Sequence, residues 1–125
     1  MPLSFRELTV WQKSMQLVTC IYRLTQGFPR QEIYSLTSQL RRAAVSIPSN
    51  IAEGQGRSGL GEYRQFLWIA RGSNCEVQTQ LEIARSLEMG EPDLLREAEA
   101  LSDEVGKMIY SLLEKLRMKT QRPPA

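Results

Sequence analysis

Apolar residues return every three or four positions along most of this chain. No stretch alternates with period two for long enough to predict a strand. The first periodic segment spans about 5–27. Leu8, Trp11, Met15, Val18 and Tyr22 step along one stripe, and Val10, Leu17, Ile21, Leu24 and Phe28 along another. At 100° per residue the two stripes lie about 110° apart and together cover roughly 200° of the helix, wider than the face an ordinary surface helix buries. Val10, Leu17, Ile21 and Leu24 are then expected to face a partner chain, because one small bundle edge cannot fully cover so wide an arc, the alternative being that the bundle geometry covers them itself. Gly27 and Pro29 stop the segment.

A second segment, about 31–53, carries Ile33, Leu36, Leu40, Ala43, Ile47 and Ile51 on one stripe, with Pro48 inside it. Proline lacks an N–H and crowds the preceding turn, so a kink is expected between Ala44 and Pro48. Ala43, Ala44, Ser46, Ser49 and Ala52 surround it and would let a neighbouring helix approach. The glycine-rich run 54–61 reads as a loop, with Ser58 placed to cap the next helix. The third segment, about 59–88, has Tyr63, Phe66, Ala70, Ser73, Val77, Leu81, Ala84 and Leu87 on its buried stripe, and Ala70, Gly72 and Ser73 mark a close approach. Gly90-Glu91-Pro92 breaks the pattern, with Pro92 suited to a first helical position. The fourth segment, about 92–119, repeats with Leu94, Ala98, Leu101, Val105, Met108, Leu112 and Leu116, widened by Ile109 and Leu113. Its acids gather at its start and its bases at its end, which suits the helix dipole.

Four long helices with short links predict an all-α protein: an antiparallel up-down-up-down four-helix bundle with helix two kinked at a proline. One domain is expected over residues 1–120, with a disordered tail at 121–125. The length of 125 residues supports a real core without staples.

Composition removes several chemistries. There is no histidine, which excludes imidazole bases, histidine triads and histidine metal sites. Cys20 and Cys75 are too few for a cysteine-only zinc site and read as two unpaired thiols. No cofactor and no metal are expected. No apolar run reaches membrane-spanning length, and the first residues lack a secretory pattern, so no membrane partner is expected and the default compartment is the cytoplasm. The net charge of +2 is too mild to announce a nucleic-acid binder by itself.

Three features carry candidate chemistry. Gly54, Gly56 and Gly59 spell G-x-G-x-x-G, but no βαβ unit surrounds them, so they read as a link between helices. Arg42, Ser46, Asn50, Glu53 and Arg57, with Ser49, fall along one side of helix two. They read either as a solvated line bracing the kink or as a polar network shared with a subunit or ligand. Asn50 or a serine is also placed to serve the carbonyl that Pro48 frees near Ala44. Glu53 has no partner acid or nucleophile at a recognisable spacing, so no catalytic residue is assigned. On helix three Arg64, Trp68 and Arg71 share a face. Trp and Arg there suit simple packing, a subunit interface, or a base stacked between guanidiniums that reach phosphates.

The stretches FRELTVWQKSMQLV and FPRQEIYSLTSQLRRAAVSIPSNIAEGQGRSGLGEYRQFLWIARGSNCEVQTQL resemble a family of bacterial four-helix-bundle proteins. These were first noticed as reading frames in intervening sequences of large-subunit ribosomal RNA genes. SQLRRAAVSIPSNIAEG is the most specific part. The likeness covers about residues 5–90, and helix four matches by pattern only. The resemblance implies a homopentamer without an established activity. It also touches the accessory variability proteins of diversity-generating retroelements, which are strongly basic and bind a reverse transcriptase and RNA. This chain departs from that basic character. The positions matching the family signature are Trp11, Pro29, Glu32, Tyr34, Leu36, Gln39, Arg41, Arg42, Ser46, Pro48, Asn50, Glu53, Gly54, Phe66, Ala70, Ser73 and Glu76, with no catalytic assignment among them.

The expectation is thus a non-enzymatic homo-oligomeric scaffold that binds another macromolecule. The alternative is an RNA- or ribonucleoprotein-binding accessory protein using Arg41, Arg42, Arg57, Arg64, Trp68 and Arg71.

Overall fold

The computed structural model describes residues 4–120, and the tail at 121–125 lies outside the described residues. Four α-helices follow one another: α1 (Thr9–Gln26), α2 (Leu36–Gln55), α3 (Leu60–Ser86) and α4 (Pro92–Thr120). Short 3₁₀ turns precede α1 at Phe5–Glu7 and α2 at Arg30–Glu32. There is no strand among the described residues. Each helix packs on its neighbours in sequence, and α4 closes the ring against α1. Cross-contacts pair rising with falling residue numbers. Thr25 meets Arg41, Gly54 meets Phe66, Asn74 meets Ser102, and Lys13 meets Glu104 while Cys20 meets Leu94. Adjacent helices therefore run in opposite directions around one core built on Leu17, Ile21, Leu40, Ile47, Ile51, Leu67, Val77, Leu81, Val105 and Ile109.

The helix ends have local causes. Gly27 closes α1 by donating its N–H to the Leu24 carbonyl. Residues 31–35, expected as the first turn of α2, instead form the 3₁₀ turn and its exit. The Glu32 carboxylate accepts from the Ser35 hydroxyl at 2.8 Å and the Leu36 N–H at 3.3 Å, which starts α2 five residues later than the periodicity suggests. Ile33 therefore leaves the stripe it was expected to extend, and Tyr34 beside it is 94% exposed. α2 then runs unbroken through Pro48. The hydroxyl of Ser49 donates to the Val45 carbonyl and the amide of Asn50 to the Ser46 carbonyl, so neither serves Ala44 as expected.

α3 begins at Leu60 after Gly59, and Ser58 makes no cap, contrary to expectation. It ends in a Schellman turn. The Met89 N–H reaches the Ala84 carbonyl at 2.9 Å and the Glu88 N–H the Arg85 carbonyl at 3.1 Å, which puts Glu88 at φ 54°, a left-handed backbone that favours glycine. Gly90 follows at φ +82°, with a built Cβ only 2.6 Å from a Leu24 methyl. Pro92 opens α4, and the Glu91 carboxylate caps it by accepting from the N–H groups of Asp93 (3.1 Å) and Leu94 (3.0 Å).

One buried polar contact ties α3 to α4. Asn74 donates to the Ser102 carbonyl at 3.0 Å, and the Ser102 hydroxyl donates back to the Asn74 side-chain oxygen at 2.8 Å. A buried side-chain amide must be paired in this way or its desolvation is uncompensated. Gly106, one turn on from Ser102, leaves the room: a built Cβ there would stand 3.1 Å from the Asn74 amide nitrogen.

Candidate functional site

The polar line of α2 divides into two parts. At its middle, Ser46 faces α3 and shares a 2.8 Å hydrogen bond with the Ser73 hydroxyl, while Asn50 donates to the Ser46 hydroxyl at 2.9 Å. At its end, Arg57 pairs with Glu53 at 2.8 Å, approaches Glu62 at 3.8 Å, and lies 5.0 Å over the Phe66 ring. Glu53 is exposed and held by this arginine rather than by a second acid. Asn50 bonds to Ser46 and Glu53 to Arg57, so among the described residues no hydrogen bond runs from Arg42 through Asn50 to Glu53. Arg42 instead lines a groove of about 380 Å³ between α2 and α3, with Gln39, Ala43, Ser46, Ser73, Glu76 and Gln80. Asn74, Ser102 and Gln80 are buried polar residues that the sequence reading did not single out. The visible signal was a polar side chain inside an apolar stripe.

The Arg/Trp surface is only partly gathered. Trp68 is 51% exposed on α3, and the Arg71 guanidinium lies 5.4 Å from its ring centroid. Arg64 is half-buried two turns before Arg71. Arg71 also lines a cleft against α4 with Asn74, Cys75, Gln78, Asp103, Gly106, Lys107 and Tyr110. Lys107 and the exposed Tyr110 thus join the cation and ring of α3, which the linear pattern could not show. Arg41 belongs elsewhere. It crosses to α1, where its Nε donates to the Thr25 hydroxyl at 2.8 Å and its guanidinium sits 4.5 Å over the Tyr22 ring.

The reading of α1 needs correction. Val10, Leu17, Ile21 and Leu24, expected to meet a partner chain, are buried within the chain itself. α4 covers this side, because Gly90 and the start of α4 pack against Leu24 while Leu94 and Glu97 lie beside Cys20. Part of the arc does stay exposed on the single chain, and that part is the other stripe. Leu8, Trp11 and Val18 are half-buried, and Met15 and Tyr22 are about 40% exposed. Trp11, Met15 and Val18 form a groove with Val45, Pro48, Ser49 and Ala52 of α2, lined almost wholly by apolar atoms. Phe5 meets the Trp11 ring edge-on at 5.2 Å.

Among the described residues the perturbed titrations fall on Cys20, Tyr63 and the ion-paired Arg85. Burial first, and then the neighbouring Glu97 carboxylate, pushes the Cys20 thiol up to about 11, while burial alone raises Tyr63. Among the described residues no group of three His, Cys, Asp or Glu side chains is placed to hold a metal ion, and no helix is long and apolar enough to cross a membrane.

A family model described as 23S rRNA-intervening sequence protein matches residues 6–111, which extends the likeness well into α4. Among solved structures, the chain is similar to a protein of unknown function from the S23 ribosomal protein family of Bacteroides thetaiotaomicron. The TM-score is 0.74 at 22% identity, over 84% of this chain and 98% of that one. At that identity the likeness speaks for the four-helix fold. No curated protein matches the chain.

Proposed function

Since the chain belongs to the 23S rRNA-intervening sequence protein family, we propose that it is a non-enzymatic scaffold that assembles as a homo-oligomer, a pentamer by the family likeness, and presents its outer surface to another macromolecule in the cytoplasm. The observation that carries this reading is the apolar groove between α1 and α2. Met15 and Val45 are each 40% exposed there, beside Trp11, Val18, Pro48 and Ala52. An apolar groove open to solvent on a single chain is a candidate surface for a partner to cover. Light scattering coupled to size-exclusion chromatography at micromolar concentration tests the assembly. The expected mass is a multiple of 14.3 kDa, and a monomer would overturn the reading.

A second reading rests on a different surface. The Arg71–Trp68 stack, with Lys107 and Tyr110 across the cleft, combines rings and cations as a single-stranded nucleic-acid platform does. Gel shifts with structured and single-stranded RNA test it. Binding should weaken steeply with salt, and Trp68→Ala should weaken it by roughly 1–3 kcal/mol. No binding at low salt dismisses this reading and leaves the scaffold untouched.

A further inference from the structure

The groove that flanks α2 on its α3 side differs in chemistry from the apolar one. Its floor is small and polar, where Ser46 and Ser73 bond to each other and hold the two helices close. Its α3 wall carries Glu76 and, one turn later, Gln80, side chains that neighbour each other on one helix face. Its α2 wall carries Arg42 and Gln39.

Three of these groups lack a partner. Gln80 is only 8% exposed, yet its side-chain oxygen accepts no hydrogen bond. An orphaned buried carbonyl is uncommon and costs stability. Arg42 and Glu76 face the same groove from opposite walls, and neither is ion-paired among the described residues, although ion pairs such as Lys13–Glu104 and Arg57–Glu53 form elsewhere. One wall therefore offers the Glu76 carboxylate with the Gln80 carbonyl buried behind it, the other a guanidinium, and the groove is of a size to hold a small molecule.

We propose that this α2–α3 groove binds a small zwitterion, its ammonium between Glu76 and Gln80 and its carboxylate toward Arg42. The ammonium supplies the donor that the Gln80 carbonyl lacks. The terminal torsion of glutamine is soft, so its amide can turn that oxygen to a donor in the groove. Retaining a destabilising amide at a ligand wall is the familiar conflict between stability and function.

The test is a titration of isotope-labelled protein followed by amide NMR, with glycylglycine as the probe. Saturable shifts are expected at the Gln80 side-chain amide and at Ser46 and Ser73, with a dissociation constant on the order of 1 mM. N-acetylated glycylglycine, which lacks the ammonium, and glycinamide-capped glycine, which lacks the carboxylate, should each bind about tenfold more weakly. Gln80→Met should abolish the saturable shifts and raise Tm by about 4 °C, as the unpaired carbonyl is removed at nearly constant volume. Exposed Glu76→Gln should leave the fold intact and weaken binding about tenfold. Absence of saturation at about 50 mM probe, or equal binding of the acetylated form, overturns the proposal.

Discussion

At the scale of single residues, the two thiols diverge because their surroundings do. Cys20 is 3% exposed, donates weakly to the Leu94 carbonyl at 3.5 Å, and sits by Glu97. Burial and that carboxylate disfavour its thiolate, so its pKa rises from an ordinary 9.0 to about 11. Cys75 is exposed on α3. A thiol reagent at pH 8 should therefore modify one cysteine in the native protein and both after denaturation, and the modified peptide should contain Cys75. The sign of the pH effect follows from the raised value. Below pH 9 both states keep the proton on Cys20. Between pH 9 and about 11 the unfolded state releases it first, so stability falls as pH rises. Relative to Cys20→Ala, the wild type should lose about 2 kcal/mol across that window in denaturant titrations. Parallel curves for the two proteins would contradict the assignment.

At the scale of elements, the glycines show what periodicity does and does not determine. The pattern of the sequence puts Gly54 in a loop and Gly72 at a close approach. In the structure Gly54 lies buried in the last turn of α2, where an added Cβ would meet the Phe66 Cβ at 2.7 Å and a Tyr63 ring carbon at 3.1 Å. Around Gly72 nothing lies within 4 Å. The same substitution should then act with opposite signs. Gly54→Ala should destabilise by about 1–3 kcal/mol as α2 and α3 are forced apart, whereas Gly72→Ala should stabilise by about 1 kcal/mol through helix propensity. Chemical denaturation of the two variants checks this directly. Four helices, the break at Gly90–Pro92 and most inward positions of α3 and α4 were legible, because one apolar stripe faces one core. α1 was legible only as an arc. Both of its stripes are apolar, and the choice between them depends on where α4 and α2 sit, which local spacing does not encode. For the Asn74–Ser102 contact and the Gln80 wall the sequence shows only polar side chains within apolar stripes, since what they meet exists only once two helices are placed side by side.

At the scale of the whole molecule, the balanced net charge conceals a polarised hairpin. Glu91 and the start of α4 hold acids, with Asp93, Glu97, Glu99, Asp103 and Glu104 following, and the later part of α4 holds Lys107, Lys115, Arg117 and Lys119. Because α3 runs the other way, Arg64 and Arg71 lie toward the basic end, where Arg71 meets Trp68 and lines a cleft with Tyr110. The α1–α2 side carries the uncovered apolar groove instead. A scaffold that meets its copies through the apolar side and another macromolecule through the charged side uses each surface for what it suits. Assembly through that groove is the claim on which this account turns. Its sharpest test is the mass in solution of a Met15→Glu, Val45→Glu variant measured beside the wild type. Both side chains are partly exposed in the single chain, so the fold should survive with unchanged helicity and a cooperative thermal transition. The account predicts an oligomeric wild type and a monomeric variant. A variant that keeps the wild-type mass, or a wild type that is itself a monomer, would contradict it.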